Sequence, residues 1–225
     1  MDYATVLTVA KCKDALMAGF TTFRDAGSVS EGLKLAFDEG VLPGPRIYPC
    51  GAYISQTCGH GDSEYAHTYR DIQYRHPSST VLADGVPEII RAVREQFYRG
   101  ASHIKLMATE ILNRHEDIRL LFGTDMMITG PDYQVEQSED IRYYEKRFGT
   151  MRALRALTGT ANEVFALTTY QNPYPKGKIG VLEAGSYADL LLVDGDPTKS
   201  VSVLADTDHL RLIMKGGTVY KNTLC

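Results

Sequence analysis

The spacing of apolar positions changes character along this chain. In TVLTVAKCKDALMAG, Val6, Val9, Leu16 and Met17 fall on one helical stripe, and Gly19 is placed to stop it. FTTFRDAG is a short β-rich run ending at Asp25 and Gly27. EGLKLAFDEG is a short helix closed by Gly40, and PRIYPCGAYIS is a strand running into the loop QTCGHGD. In ADGVPEIIRAVREQFYRG, Pro87 suits the first helical turn, Ile89, Val93 and Phe97 recur at steps of four, and Gly100 ends the pattern. SHIKLMA is the next strand. Helix and strand alternating in this way predict parallel βα units, an α/β fold.

A second apolar run, IRLLFGTD, ends at Asp125, and the pattern then shifts. SEDIRYYEKRFGTMRALRALTGTANEVFAL predicts a long or broken helical region with Ser138 as its cap. From Gly177 the chain reads as β throughout: GKIGVLEAGSYADLLLVDGD, then LRLIMKGGTVYK as a hairpin across KGG. Turn formers crowd residues 169–176, which places a boundary between a segment 1–168 and a segment 169–225.

Composition narrows the class without naming a chemistry. With 225 residues, 44% hydrophobic and 23% charged, the chain is long enough for one large α/β domain, or for a domain with an appendage. A net charge of −4 and a pI near 5.9 give no nucleic-acid footprint, and Lys and Arg are scattered. No apolar run reaches membrane-spanning length, and Asp2, Lys11 and Lys13 interrupt the start, so a cytoplasmic protein contacting neither nucleic acid nor membrane is expected. Cys12, Cys50, Cys58 and Cys225 form no C-x-x-C pair and read as reduced thiols.

Two charges inside apolar runs are the candidate chemistry. Along the strand at Lys105, alternation puts Ile104, Leu106 and Ala108 on one face and His103, Lys105, Met107 and Thr109 on the other. In a closed (β/α) barrel the second face points to the axis, and a polar residue near the C-terminal rim reaches the mouth. The alternative is an edge strand with a solvated lysine. Asp125 stands just past its apolar run, where barrel enzymes carry catalytic groups, and also where a helix-capping aspartate stands.

Four stretches, taken with the tail, carry a resemblance. AGFTTFRDAG, GPRIYPCGAYISQTCGHGD, GASHIKLMAT and LFGTDM resemble, in order, the second, third, fourth and eighth barrel strands of the amidohydrolase superfamily. The imidazolonepropionase-like and Xaa-Pro-dipeptidase-like metal hydrolases are the branch they resemble most. The tail from Gly177 resembles the family's C-terminal β-sandwich strands. The resemblance implies an incomplete TIM-type (β/α) barrel over residues 1–168, with a small β-sandwich portion over 169–225. It implies Lys105 as a carboxylated, metal-bridging lysine and Asp125 as metal ligand and general base. One or two divalent cations, often zinc in this family, would lower the pKa of a bound water that attacks a non-ester C–N bond of a small amide or dipeptide-like substrate. His60, in GHGD, would lie at the substrate end, although the same loop also reads as a glycine-rich turn.

The family's remaining ligands are not in these 225 residues. There is no H-x-H, and the interval that carries single histidines on the fifth and sixth strands is missing. Only nine residues, TEILNRHED, join SHIKLMA to IRLLFGTD, below the roughly 10–12 that a parallel crossover needs. The histidines are His60, His67, His76, His103, His115 and His209. His103 shares a face with Lys105, but the pair falls short of the three protein ligands a zinc enzyme uses. Two other readings therefore stand beside an incomplete hydrolase. One is a non-catalytic remnant that binds a partner such as an intact paralogue. The other is a metal-independent α/β binding protein in which Lys105 and Asp125 pair. Exposed strand edges favour a homo- or hetero-oligomer in each case.

Overall fold

The computed structural model describes residues 2–27, 29–59, 61–62, 80–107, 121–123 and 133–224, with backbone alone at 2–4 and 133–138. The chain is mixed α/β and divides into two compact units. The first comprises Met1–Thr8, Phe23–Leu42 and Arg46–Ile118; the second comprises Val9–Thr22, Pro43–Pro45 and Arg119–Cys225. Helix α1 (Asp2–Met17) contributes to both, and ends where Gly19 takes a positive φ of 92°.

In the first unit, β1 (Thr22–Arg24) pairs with β2 (Arg46–Tyr48), with α2 (Glu31–Asp38) between them in sequence. Helix α2 begins at Ser30, whose Oγ accepts the Leu33 N–H at 3.3 Å, and it buries Leu33 and Phe37. The stretch PRIYPCGAYIS forms two strands where one is expected. It breaks between β2 and β3 (Tyr53–Ser55) because Gly51 turns the chain at φ +67°. Strand β3 runs parallel to β4 (Thr80–Leu82), with Ile54 opposite Val81.

On its other side, Ile54 bridges Leu106 in parallel. The Ile54 N–H donates to Lys105 O at 2.9 Å, and the Met107 N–H donates to Ile54 O at 3.0 Å. SHIKLMA is thus held by a single bridge and extends no strand of its own among the described residues. Helix α3 (Gly85–Tyr98) follows β4 and is opened by Asp84, whose N–H donates to Glu88 Oε2 at 2.8 Å. Ile54, Ala83 and Ala92 form the core here, with Val81, Val93 and Ile104 packed against them.

In the second unit the helical region is broken, as the sequence allows, into α4 (Tyr133–Phe148), α5 (Thr150–Leu157) and α6 (Gly159–Ala166). Ser138 is inside α4 and does not cap it, since helix-forming residues such as Glu136 and Gln137 carry the helix back to Tyr133. Ile141, Ala153, Val201 and Ala205 make one buried cluster. Phe122 meets the Tyr144 ring edge-on at 5.0 Å, and Tyr144 Oη donates to Leu121 O at 2.7 Å.

The tail is less β-rich than its pattern suggests. Residues 177–189 carry no strand, because the chain folds back on itself there. The Tyr187 N–H donates to Lys178 O at 2.9 Å, and Gly177 passes close against Gly185 O. Strands β5 (Leu190–Val193), β6 (Leu210–Lys215) and β7 (Thr218–Asn222) then form an antiparallel sheet in that order. The KGG hairpin forms as expected: Lys215 faces Thr218, and Gly216 and Gly217 have φ of 56° and 82°, the signs a type I′ turn requires. Leu16, Leu210 and Ile213 are fully buried together, each worth about 1.5–3 kcal/mol of apolar burial. Among the described residues the strands close no barrel. They form two two-stranded sheets and one three-stranded sheet.

Glu145 binds the turn at 201–205 to α4. Its carboxylate accepts from Ser202 Oγ at 2.6 Å, Ser200 Oγ at 2.8 Å, Thr150 Oγ1 at 2.8 Å and the Val201 N–H at 3.0 Å. Burial disfavours the charge, and these four donors outweigh it, so the carboxyl falls from 4.5 to about 2. A depressed carboxyl stabilises the fold above its unfolded value and ceases to do so as pH falls through about 2. Thermal melts of wild type should therefore lose stability between about pH 4.5 and 2, and Glu145→Gln should lower the melting temperature at neutral pH while flattening that acid limb.

Candidate functional site

Polar groups at the ends of β1 and β2 meet the start of a third segment of the first unit. At the end of β1, the Asp25 N–H donates to Tyr48 O of β2 at 2.9 Å. At the end of β2, Pro49 O accepts twice from Ser102, from N–H at 2.7 Å and from Oγ at 2.9 Å. The third segment, residues 102–107, carries Lys105 two positions beyond His103. Pro49 and Ser102 join β2 to this segment, so β2 lies between it and β1.

His103 reaches across that gap, with Nε2 2.9 Å from Asp25 O. A carbonyl only accepts, so Nε2 carries the proton and Nδ1 is left as an acceptor, 3.0 Å from Ser102 Oγ. The single Ser102 hydroxyl proton is shared between Nδ1 and Pro49 O. Burial, and secondarily the Arg24 charge, lower the imidazole to about 4 against the opposing bond to Asp25, so the ring is neutral at physiological pH.

Cys50 follows β2 and is wholly buried. Its Sγ lies 3.7 Å from Asp25 Oδ2 and 3.2 Å from Gly51 O. Burial first, then the Asp25 charge and hydrogen bond, push the thiol far above its usual range, against the pull of Arg24 and Lys105. A thiol held protonated in this way is no nucleophile. Cys50 and Cys58 are not joined by a disulfide.

Gln96 of α3 supports the break beside this cluster. It is 1% exposed, and its Oε1 accepts the Ala52 N–H at 2.8 Å. A Cβ on Gly51 would stand 2.5 Å from the same oxygen, so glycine is required there twice, for space and for φ. Gln96 Nε2 is buried with no protein partner among the described residues.

Lys105 is half-buried, on the His103 side of its segment, and its charge acts on Cys50. Ile104, its neighbour, packs into the Ile54 cluster on the opposite face, as alternation requires. Leu106 shares the Ile104 side but is 51% exposed. Asp125 and His60 lie outside the described residues, so their distances to Lys105 are not part of this geometry. Asp25, Cys50, Ser102 and Gln96 were not singled out as site residues by sequence. Only Asp25, a carboxylate closing a β-run just before a glycine, carries the kind of signal that singled out Asp125.

The donors of this cluster do not fit a metal. Both His103 nitrogens are engaged, Cys50 is protonated, and Asp25 accepts the Val29 N–H on Oδ1 at 3.3 Å and faces Cys50 with Oδ2. Among the described residues no group of three or more His, Cys, Asp or Glu side chains is placed to hold a metal ion.

The sequence model of the amidohydrolase family matches residues 1–117, which include every residue of the cluster. The chain belongs to the amidohydrolase family. That family generally uses divalent metals. An ochratoxinase from Aspergillus niger is 38% identical over 108 residues, covering 44% of this chain and 22% of that protein, so the match spans about a fifth of the relative's length. Among solved structures, an amidohydrolase aligns with TM-score 0.72 at 21% identity, over 98% of this chain and 81% of its own. A prolidase complexed with N-methylphosphonate-L-proline aligns with TM-score 0.68 at 20% identity, over 96% and 79%. At these identities the structural likeness concerns the fold.

Two measurements test the cluster of this amidohydrolase. The His103 ring resonances should titrate with a midpoint near 4 in the folded protein, well below the ordinary 6.5, as read by heteronuclear NMR. Gly51→Ala should cost about 2 kcal/mol by urea denaturation, from the left-handed φ and the displaced Gln96 amide together.

Proposed function

We propose that this chain is part of a metal-dependent hydrolase that cleaves a non-ester C–N bond in a small amide or dipeptide-like substrate. Lys105 and Asp125 are the residues it brings to the metal, zinc in this reading, with Lys105 carboxylated. Asp125 also serves as general base, and His60 stands at the substrate end. Residues 1–168 are the barrel-derived part, an incomplete TIM-type (β/α) barrel, and residues 169–225 supply strands of a β-sandwich. The protein is cytoplasmic and acts as a homo- or hetero-oligomer.

One observation carries the reading: Lys105 lies within the matched stretch, half-buried, on the same side of its segment as His103, whose imidazole meets the end of β1. Placing functional groups at neighbouring strand ends is how barrel enzymes assemble a site from separate strands. The prolidase and the ochratoxinase similar to this chain support a substrate of the amide or dipeptide class.

A second reading, a metal-free protein that binds a partner or ligand, is favoured by one further fact. The 225 residues hold no H-x-H, and the described histidine nearest Lys105 has both nitrogens occupied. No described helix is long and apolar enough to cross a membrane, which both readings accommodate.

Elemental analysis of the purified full chain separates them. The hydrolase reading expects one to two zinc equivalents per chain, lost on Asp125→Asn, with hydrolysis of Xaa-Pro dipeptides or N-acyl amino acids lost in Asp125→Asn and Lys105→Met. Metal-free protein that tolerates Lys105→Met without loss of stability, and that cleaves neither substrate class with zinc supplied, would establish the second reading.

A further inference from the structure

We infer that the outward face of α3 (Gly85–Tyr98) is an interface with a second copy of this chain, the two helices lying antiparallel about a two-fold axis. This rests on the oligomer named in the proposed function, gives it a surface, and needs no metal.

The helix has two faces of different character. Ala92 and Gln96 are buried on one side, where Val93 also packs against the Ile54 core. Facing away from that side, Pro87, Ile90, Arg91, Arg94, Glu95 and Tyr98 line a shallow groove. Val86 is 69% exposed, Ile90 44% and Tyr98 93%. Their spacing of four and eight residues gathers these apolar groups into one stripe. A helix whose back meets only water carries polar residues there, so an apolar stripe on that side marks a contact surface.

Charge decides what covers it. Glu88, Arg91, Glu95 and Arg99 follow one another at steps of three, four and four, so acid and base alternate along one flank of the stripe. All four are exposed. Glu88 accepts the Asp84 N–H, and among the described residues no ion pair involves Arg91, Glu95 or Arg99. Reversing the direction of this series exchanges every acid for a base, so the flank is complementary to its own antiparallel copy. A two-fold axis at the level of Val93 sets Arg91 opposite Glu95 of the second copy and Glu88 opposite its Arg99, and symmetry forms each pair twice. Parallel helices would instead oppose like charges. The antiparallel alignment also lays Val86, Ile90 and Tyr98 of each copy against the stripe of the other. A 14-residue helix is about 21 Å long, so the contact is small and belongs to the weak, concentration-dependent class.

Sedimentation equilibrium of the full chain, with and without zinc, tests this. Wild type should pass from monomer to dimer as concentration rises. Arg91→Glu and Glu95→Arg each oppose like charges twice, and each should weaken dimerisation about tenfold. Mixing these two variants should restore it, because only the mixed pair has opposite charges at both positions. Tyr98→Ser should weaken association without rescue by either partner. Association that ignores both reversals, or that they weaken without recovery on mixing, overturns the interface and leaves the oligomer standing. A wild type that stays monomeric at every concentration overturns both. If circular dichroism shows a charge variant unfolded, Tyr98→Ser decides: undiminished dimerisation in that variant overturns the proposal. Dimerisation that follows the charge rule in zinc-free protein supports this surface while the hydrolase reading fails.

Discussion

Buried polar groups at the ends of β-strands must find partners, and in the first unit that requirement organises everything near Lys105. Strands β1 and β2 and the segment 102–107 bring backbone amides, carbonyls, a thiol, a carboxylate and an imidazole into one place, with Asp25, Cys50 and Ser102 buried. Leaving one of them unpaired costs about 1–3 kcal/mol, so the groups are arranged as a connected network. Asp25, Pro49, Ser102 and His103 satisfy one another, and the segment that carries the lysine is located by that closure.

The chemistry available to the cluster follows from the same closure. Groups that satisfy each other are not offered to a ligand: His103 is neutral and doubly bonded, and Cys50 stays protonated. The charge of half-buried Lys105 acts on Cys50 in this network, and a hydrolytic role for the chain depends on what meets the lysine. Family membership makes a hydrolase the natural reading, since the matched residues 1–117 contain the whole cluster.

The second unit solves a similar problem with a different device. There a single carboxylate, Glu145, gathers three hydroxyls and a backbone amide, and so fastens the 201–205 turn to α4 above the Ile141–Ala153 cluster. Helix α1 and strand β6 then bury Leu16 against Leu210 and Ile213 by apolar contact alone. Polar ties set the direction of segments in both units, and apolar packing supplies the bulk of the stability.

Much of this was legible in the chain itself, because helix stops and hairpin turns are local. The glycines after α1 and α3 and the KGG hairpin follow from backbone conformations their own residues permit. The alternation that separates Ile104 from His103 and Lys105 was equally local, as was the family likeness carried by short motifs. Tertiary structure alone decided the rest. The split of PRIYPCGAYIS at Gly51 depends on Gln96, 45 positions away in sequence, and the reduction of SHIKLMA to one bridge depends on Ile54. The commitment of His103 to Asp25 rests on a contact between residues 78 positions apart. No periodicity records such a contact, because a hydrogen bond between distant strand ends leaves the pattern of each strand unchanged.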